Sequence, residues 1–279
     1  MKFTKMQGTG NDFILVDARE MECDWPRLAV AMCERHFGVG ADGLILVLKS
    51  KVADFRMRIF NADGSEAEMC GNGLRCFAKY VVEQGLAPKD ATELTVETLA
   101  GINRVRPQVV DGVVTSVQVG MGVPKLKASE IPVLAGALER VSDYPLVVDG
   151  RELRVTCVSM GNPHAVCFVE QPVAGFPLAE IGQKVEHHPI FPKRVNFEVA
   201  RVLNRTQIEG RVWERGVGET LACGSGACAI AVAARLHDYV DDELDITLLG
   251  GVLTLAWDGV GEVLLSGPAE TVFEGEWQG

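Results

Sequence analysis

Eight cysteines punctuate this chain, at positions 23, 33, 70, 76, 157, 167, 223 and 228, and two of them stand where a thiol could do chemistry. Cys70 is followed by Gly71-Asn72-Gly73 and Cys223 by Gly224-Ser225-Gly226, and a helical pattern starts after each. Beyond Cys70, Leu74, Phe77, Ala78, Val81 and Val82 recur at three- and four-residue spacing, the period of an amphipathic helix. A thiol at that point sits at the positive end of a helix dipole, among backbone N–H groups without intrahelical partners. The position is expected to lower a thiol pKa and leave the thiolate accessible.

Two such thiols on two related halves suit the inversion of a stereocentre next to a carboxylate. Inversion needs a base on one face of the carbon and an acid on the other. A thiolate removes the proton and the facing thiol returns one. The carbanion pushes charge onto the carboxylate, so preorganised donors must hold that group. The N–H groups of Gly71-Asn72 and Gly224-Ser225 are placed for it, since helix N-termini bind anions. The thiols are expected to titrate as a coupled pair. The remaining cysteines, Cys23, Cys33, Cys76, Cys157, Cys167 and Cys228, read as buried packing residues. No Cys-x-x-Cys spacing occurs, so no metal site is expected.

The elements that would position these thiols come twice. Strand patterns at 2–7 and 13–17 flank the turn Gly8-Thr9-Gly10-Asn11-Asp12. A helix opens at Trp25-Pro26-Arg27-Leu28 and is expected to end at Gly38. Strands at 43–49 and 54–60 lead to the Cys70 motif, and strands at 94–99, 102–106 and 113–119 follow. In the second half, strands at 154–159 and 165–169 flank Met160-Gly161-Asn162-Pro163-His164, a helix opens at Phe176-Pro177, and strands at 195–202 and 207–214 lead to Cys223. Asn162 lies 151 residues after Asn11 and Cys223 lies 153 after Cys70, while Glu66 and Glu219 each stand four residues before their cysteine. The chain therefore reads as an internal duplication of α+β class, and two pseudo-symmetric α/β domains facing each other across a cleft are expected. Gly120-Met121-Gly122-Val123-Pro124 marks the boundary, giving domains at 1–120 and 121–267. Residues 126–149 have no evident counterpart and read as an insertion or connection.

Composition narrows the partners. With 27 Lys and Arg against 38 Asp and Glu, the formal charge is −11, which argues against nucleic acid. The first residues lack the apolar core of a signal peptide and no apolar run approaches a membrane span, so a cytoplasmic protein with reduced cysteines and no membrane partner is expected.

At Lys5-Met6-Gln7-Gly8-Thr9-Gly10-Asn11-Asp12-Phe13, Gly38-Val39-Gly40-Ala41-Asp42-Gly43, Asn61-Ala62-Asp63-Gly64-Ser65, Met69-Cys70-Gly71-Asn72-Gly73-Leu74-Arg75-Cys76, Gly161-Asn162-Pro163-His164, Trp213-Glu214-Arg215-Gly216 and Ala222-Cys223-Gly224-Ser225-Gly226, the sequence resembles the diaminopimelate epimerase family. The resemblance implies a cofactor-free epimerase that interconverts LL- and meso-2,6-diaminopimelate for lysine and peptidoglycan synthesis. It implies Cys70 and Cys223 as the two bases, and Asn11, Asn61, Asn162, Asn196, Glu214 and Arg215 as substrate contacts, with the Gly71-Asn72 and Gly224-Ser225 backbones at the reacting carboxylate. It also implies His164 and Glu214 as groups that tune the thiols. The family fold wraps a mixed, mostly antiparallel sheet around a central helix in each half, with residues 268–279 returning to the first, and the resemblance implies a homodimer. A substrate with two ammonium and two carboxylate groups fits a carboxylate, an Arg fork and neutral amides.

Two positions depart from the family pattern. Gly43 stands where some members place a substrate-binding glutamine, so one side-chain contact is expected to be missing. Phe273 replaces a tyrosine that some members carry at the dimer interface. Two other readings use the same cysteines. A proline-type racemase shares the two-thiol plan, but typically carries histidine where this chain has Asn72, and has no use for the Arg215 fork. A catalytically silent metabolite-binding or thiol-sensing protein would need only one reactive cysteine.

Overall fold

The computed structural model describes residues 1–88 and 90–279. They fall into two compact units, Met1–Gly120 with Ser266–Gly279, and Met121–Leu265.

In the first unit, strands Lys2–Gly8 and Asn11–Asp17 pair antiparallel around a two-residue turn in which Thr9 and Gly10 both take positive φ. Helix α1 (Trp25–Cys33) carries the chain to Gly43–Leu48, which pairs in parallel with Asn11–Asp17. Phe55–Asn61 adds antiparallel and takes the short strand Glu66–Ala67. Helix α2 (Gly71–Glu83) then crosses to Leu94–Thr98, parallel to Phe55–Asn61, and Gly101–Val110 and Val113–Gly120 follow antiparallel.

The second unit repeats this order of pairings. Arg151–Ser159 and Pro163–Phe168 pair antiparallel, helix α3 (Leu178–Glu186) crosses to a parallel partner at Asn196–Asn204, and Gln207–Glu214 adds antiparallel with Gly218–Thr220 on it. Helix α4 (Gly224–Leu236) crosses to Glu243–Leu248, parallel to Gln207–Glu214, and Gly251–Ala256 closes the hairpin. Register agrees as well as order: Phe13 lies opposite Gly43, and His164 opposite Asn196. Two mixed, mostly antiparallel sheets of one topology, each around a helix, make this an α+β fold of duplicated halves.

Both faces of each sheet are apolar, for a positional reason. Ile14, Val16, Leu44 and Leu46 alternate onto the face that packs with Trp25, Ala29 and Met32 of α1. Ile45 and Ile59 point the other way, toward Gly73 of α2. Period-two alternation with both sides buried gives the continuous apolar runs of these strands. Helix α2 is buried at every residue from Gly71 to Val82, and α4 is buried along its Ala-rich length. A helix covered all round is apolar or small except where its polar side chains find buried partners, as Asn72, Arg75 and Lys79 do on α2.

Several expectations need correction. The first helix stops at Cys33, because Glu34 turns extended (ψ 127°) and its carboxylate accepts the His36 and Phe37 N–H groups. Gly38 then packs against the helix end, where an added Cβ would lie 2.3 Å from Ala31 O. Strand Gly101–Val110 runs through Pro107, where pairing to Leu94–Thr98 has already stopped at Val105 and no ladder bond is lost on that side. Cys23 is exposed, in the turn before α1. The region 126–149, read as lacking a counterpart, ends in strand Tyr144–Val148, which lies antiparallel on Arg151–Ser159. Its equivalent is Glu270–Glu276, antiparallel on Lys2–Gly8. The two copies occupy opposite ends of their repeats in chain order, so no fixed offset relates them.

Candidate active site

Each cysteine of interest is the N-cap of a buried helix. Cys70 caps α2 in extended geometry (φ −142°, ψ 119°), and Cys223 caps α4 likewise (φ −119°, ψ 115°). Gly71-Asn72 and Gly224-Ser225 therefore form the first helical turns, where N–H groups lack intrahelical acceptors. Glycine after the cap lets another group approach the backbone closely.

Around Cys70, an amide chain runs into the core of the first unit. Cys70 Sγ lies 3.6 Å from Asn11 Oδ1, which also accepts from Asn72 Nδ2 at 3.3 Å. Asn11 Nδ2 donates to Asp42 Oδ2 at 2.6 Å, which fixes the amide with its oxygen toward the thiol. Asp42 belongs to a charged cluster with Arg35, Asp12 and Lys5. Arg75, fully buried on α2, donates to Asn72 Oδ1 at 3.0 Å, Thr9 Oγ1 at 3.0 Å and Pro268 O at 3.1 Å. Asn61 is exposed at the end of its strand and donates to Ser65 Oγ at 2.9 Å.

Cys223 has different neighbours. Its sulfur accepts from Gly226 N at 3.4 Å and lies 3.4 Å from Ser225 Oγ. Asn162 Nδ2 donates to Ser225 Oγ at 3.2 Å, and Asn162 Oδ1 faces His164 Nε2 at 2.9 Å. His164 Nδ1 meets Glu198 Oε1 at 2.7 Å, with both side chains fully buried. Asn196, buried beside them, uses both ends of its amide on backbone: Nδ2 donates to Pro163 O and Oδ1 accepts from Arg215 N. It thereby fixes the loop that presents Arg215, and each end of the amide keeps one further hydrogen-bonding capacity. Arg215 Nη1 donates to Lys193 O, and Glu214 Oε1 accepts from Thr220 Oγ1 at 2.6 Å.

The electrostatics of Cys223 correct a simple helix-end expectation. Burial pushes its thiol well above the ordinary value, the Glu214 carboxylate adds to the rise, and the Ser225 and Gly226 donors oppose it. Desolvation of the anion outweighs the helix terminus. His164 does not touch the sulfur; Asn162 and Ser225 stand between them. Among the packing cysteines, burial lifts Cys76 and Cys157 to about 12 and Cys33 and Cys167 to about 11. Among the described residues no group of His, Cys, Asp and Glu is arranged to hold a metal ion.

The expected residues thus fall into two clusters, one in each unit: Cys70, Gly71, Asn72 and Asn11 with Asn61 on a neighbouring strand end, and Cys223, Gly224, Ser225, Asn162 and His164 with Asn196, Glu214 and Arg215. Four supporting residues escaped the sequence reading: Asp42, Arg75, Glu198 and Glu186. Glu186 is buried on α3, where its carboxylate accepts from Trp213 Nε1 at 2.8 Å and Gly216 N at 2.9 Å and so braces Glu214-Arg215 from behind. Gly43 leaves no room for a side chain: an added Cβ would lie 2.9 Å from Phe60 O. Glu66 and Glu219 also have a function in the fold. Arg58 grips Glu66 at 2.7 and 2.8 Å, and Arg211 grips Glu219 at 2.7 and 3.0 Å, the same fork in both units.

A family model described as diaminopimelate epimerase matches residues 3–127 and 156–272. A diaminopimelate epimerase of Moorella thermoacetica is 53% identical over 280 residues, covering 99% of each chain. Among solved structures, a phenazine biosynthesis protein of the PhzF family from Bacillus anthracis superposes with a TM-score of 0.70 at 20% identity, covering 99% of this chain and 98% of the other. A hydroxyproline epimerase from Agrobacterium vitis gives 0.70 at 16%, covering 99% and 91%. At such identities the structural likeness speaks for the fold.

Proposed function

The chain belongs to the diaminopimelate epimerase family, and from that premise we propose that it interconverts LL- and meso-2,6-diaminopimelate by acid–base chemistry of Cys70 and Cys223, without a cofactor. The observation that carries the mechanism is the repeated helix-capping thiol, each beside two N–H groups and an asparagine whose partners fix its amide. In this reading one thiolate takes the α-proton and the opposite thiol delivers another to the other face. The Gly71-Asn72 and Gly224-Ser225 N–H groups hold the carboxylate on which charge builds. Burial raises the Cys223 thiol, which favours Cys223 as the acid in the free enzyme. Glu214 and Arg215 supply the charged pair for an ammonium and a carboxylate, and Asn11, Asn61, Asn162 and Asn196 the neutral contacts. The product would serve lysine and peptidoglycan synthesis.

We further propose a cytoplasmic homodimer; Val272 and Phe273, both exposed on strand Glu270–Glu276, offer apolar surface for association. The reaction is tested by incubating the reduced protein, stripped of pyridoxal phosphate, with LL-diaminopimelate in D2O. Deuterium at the α-carbon accompanied by inversion supports the reading. Turnover of proline in its place, or no exchange with either substrate, refutes it.

A further inference from the structure

Glu198 is a carboxylic acid where its repeat counterpart is a hydrocarbon. It lies mid-strand in Asn196–Asn204, opposite Val166 on one side and Val212 on the other, and is fully buried. The equivalent residue of the first unit is Ile45, equally buried, and the equivalent of His164 is Phe13. Contacts confirm the match: a Cβ added at Gly73 would meet Ile45 Cδ1 at 3.1 Å, and one at Gly226 would meet Glu198 Oε1 at 3.1 Å. The same backbone packs hydrocarbon in one unit and an acid against an imidazole in the other. Burying such a pair costs stability that an apolar pair would not.

The hydrogen bonds around the pair have one consistent direction. An amide oxygen only accepts, so facing Asn162 Oδ1 requires a proton on His164 Nε2. In a neutral ring Nδ1 is then an acceptor, and the contact at 2.7 Å requires Glu198 to contribute the proton between them. With that proton on Oε1 or on Nδ1 the pair is neutral overall and Nε2–H is preserved. Asn162 then donates through Nδ2 to Ser225 Oγ, which leaves the Ser225 hydroxyl hydrogen available to Cys223 Sγ, 3.4 Å away. Burial, opposed by His164 and assisted by Glu214, holds Glu198 above the usual carboxylate range; Cys157 and Cys223 are its other titratable neighbours. Glu198 Oε2 has no hydrogen-bond partner among the described residues.

We propose that Glu198 is a positioning residue for Cys223: the proton it shares with His164 fixes the imidazole as an Nε2–H donor and so aims the Ser225 hydroxyl at the sulfur. The relay supplies the thiolate with a donor that burial alone would deny it. Without the shared proton, Nε2 is bare, the Asn162 amide turns over to donate to it, and Ser225 donates to Asn162 rather than to sulfur. The inference rests on the two-thiol reading of the site.

Two measurements test it. Long-range 1H–15N correlation spectra of 15N-histidine-labelled protein read the tautomer without turnover, and with five histidines in the chain His164→Phe assigns the signal. A proton on Nε2 is expected, and a bare Nε2 overturns the proposal. The second uses His164→Phe/Glu198→Ile, which copies the Phe13 and Ile45 pair of the first unit and removes the Nε2–H donor itself. Its melting temperature is expected to hold or rise, its KM to stay within about threefold, and its kcat to fall about tenfold or more. Peptide-resolved alkylation should show the Cys223 profile displaced about one unit to higher pH, a tenfold change in thiolate, with Cys70 unmoved. An unchanged kcat and Cys223 profile, or equal displacement of both thiols, overturns the proposal. Failure of the two-thiol reading would appear separately, as activity surviving in Cys223→Ala, and would leave the tautomer result standing.

Discussion

Replacing Gly182 by alanine should weaken both the second unit and its grip on substrate. Gly182 lies on α3 against Trp213, and an added Cβ would sit 2.6 Å from Trp213 Cγ, 2.8 Å from Cδ2 and 2.9 Å from Cβ. Carbon atoms pack at about 3.5–4.0 Å, so about 1 Å must be found. Rotation of the indole cannot supply it, because Trp213 Cβ is among the crowded atoms. The strand or the helix must shift. Such overpacking costs about 1–3 kcal/mol. A shift of about 1 Å would also break the 2.8 Å bond from Trp213 Nε1 to the buried Glu186 carboxylate, worth roughly 1.5–3 kcal/mol. The better helix propensity of alanine returns about 1 kcal/mol. The net loss is about 2–5 kcal/mol, which urea denaturation would read directly and which would lower Tm by roughly 5–15 °C. Glu186 also holds Gly216 N, so the Glu214-Arg215 loop should loosen and KM for diaminopimelate rise several-fold, more than kcat falls. A Gly182→Ala protein with Tm within 2 °C of the parent and an unchanged KM would refute this account of how Arg215 is held.

Two further outcomes follow from charges. Burial would raise the Asp12 pKa, but Arg35 and Lys5 outweigh it and hold it at about 2 against an ordinary 3.8. The stabilisation, roughly 1 kcal/mol once solvent screening of this partly exposed cluster is allowed for, is complete above the unfolded value and is lost as pH falls through the folded one. Denaturation midpoints of the parent should therefore decline between about pH 4 and pH 2 by more than those of Asp12→Asn, and equal slopes would contradict it. The duplicated forks should also differ in worth. Arg211 adds bonds to Val173 O and Phe176 O at 2.8 and 2.9 Å, whereas Arg58 has its carboxylate and the Phe60 ring. Arg211→Met should cost about 2–3 kcal/mol and Arg58→Met about 1 kcal/mol in chemical denaturation.

Much of the architecture was legible because the duplication is written in turn residues and apolar periodicity. The thiols, their Gly-rich turns and the strand order recur at nearly constant offset, and strong local patterns of that kind survive into structure. The edge strands Tyr144–Val148 and Glu270–Glu276 were not legible as a pair, since pairing across chain order leaves no trace in spacing. Nor was the end of α1 at Cys33, where the Glu34 side chain captures backbone donors before the glycine is reached. The supporting residues were missed for a different reason. Glu198 and Arg75 each look like a stray charge in an apolar run. Compared with their counterparts Ile45 and Cys228, they become conspicuous: a charge buried in one copy where the other copy is neutral marks where the halves have specialised. The elevated Cys223 thiol was beyond the sequence, because desolvation depends on how tightly the finished fold closes over one atom.

The central claim is that Cys70 and Cys223 are both needed, one on each face of the α-carbon. It is tested most directly by following optical rotation and α-deuterium together, in D2O with LL-diaminopimelate, for the parent, Cys70→Ala and Cys223→Ala. The parent should invert with incorporation of one deuterium at the reacting centre, and each single variant should lose inversion by several orders of magnitude while keeping its fold. Near-normal epimerisation by either variant would contradict the two-thiol mechanism.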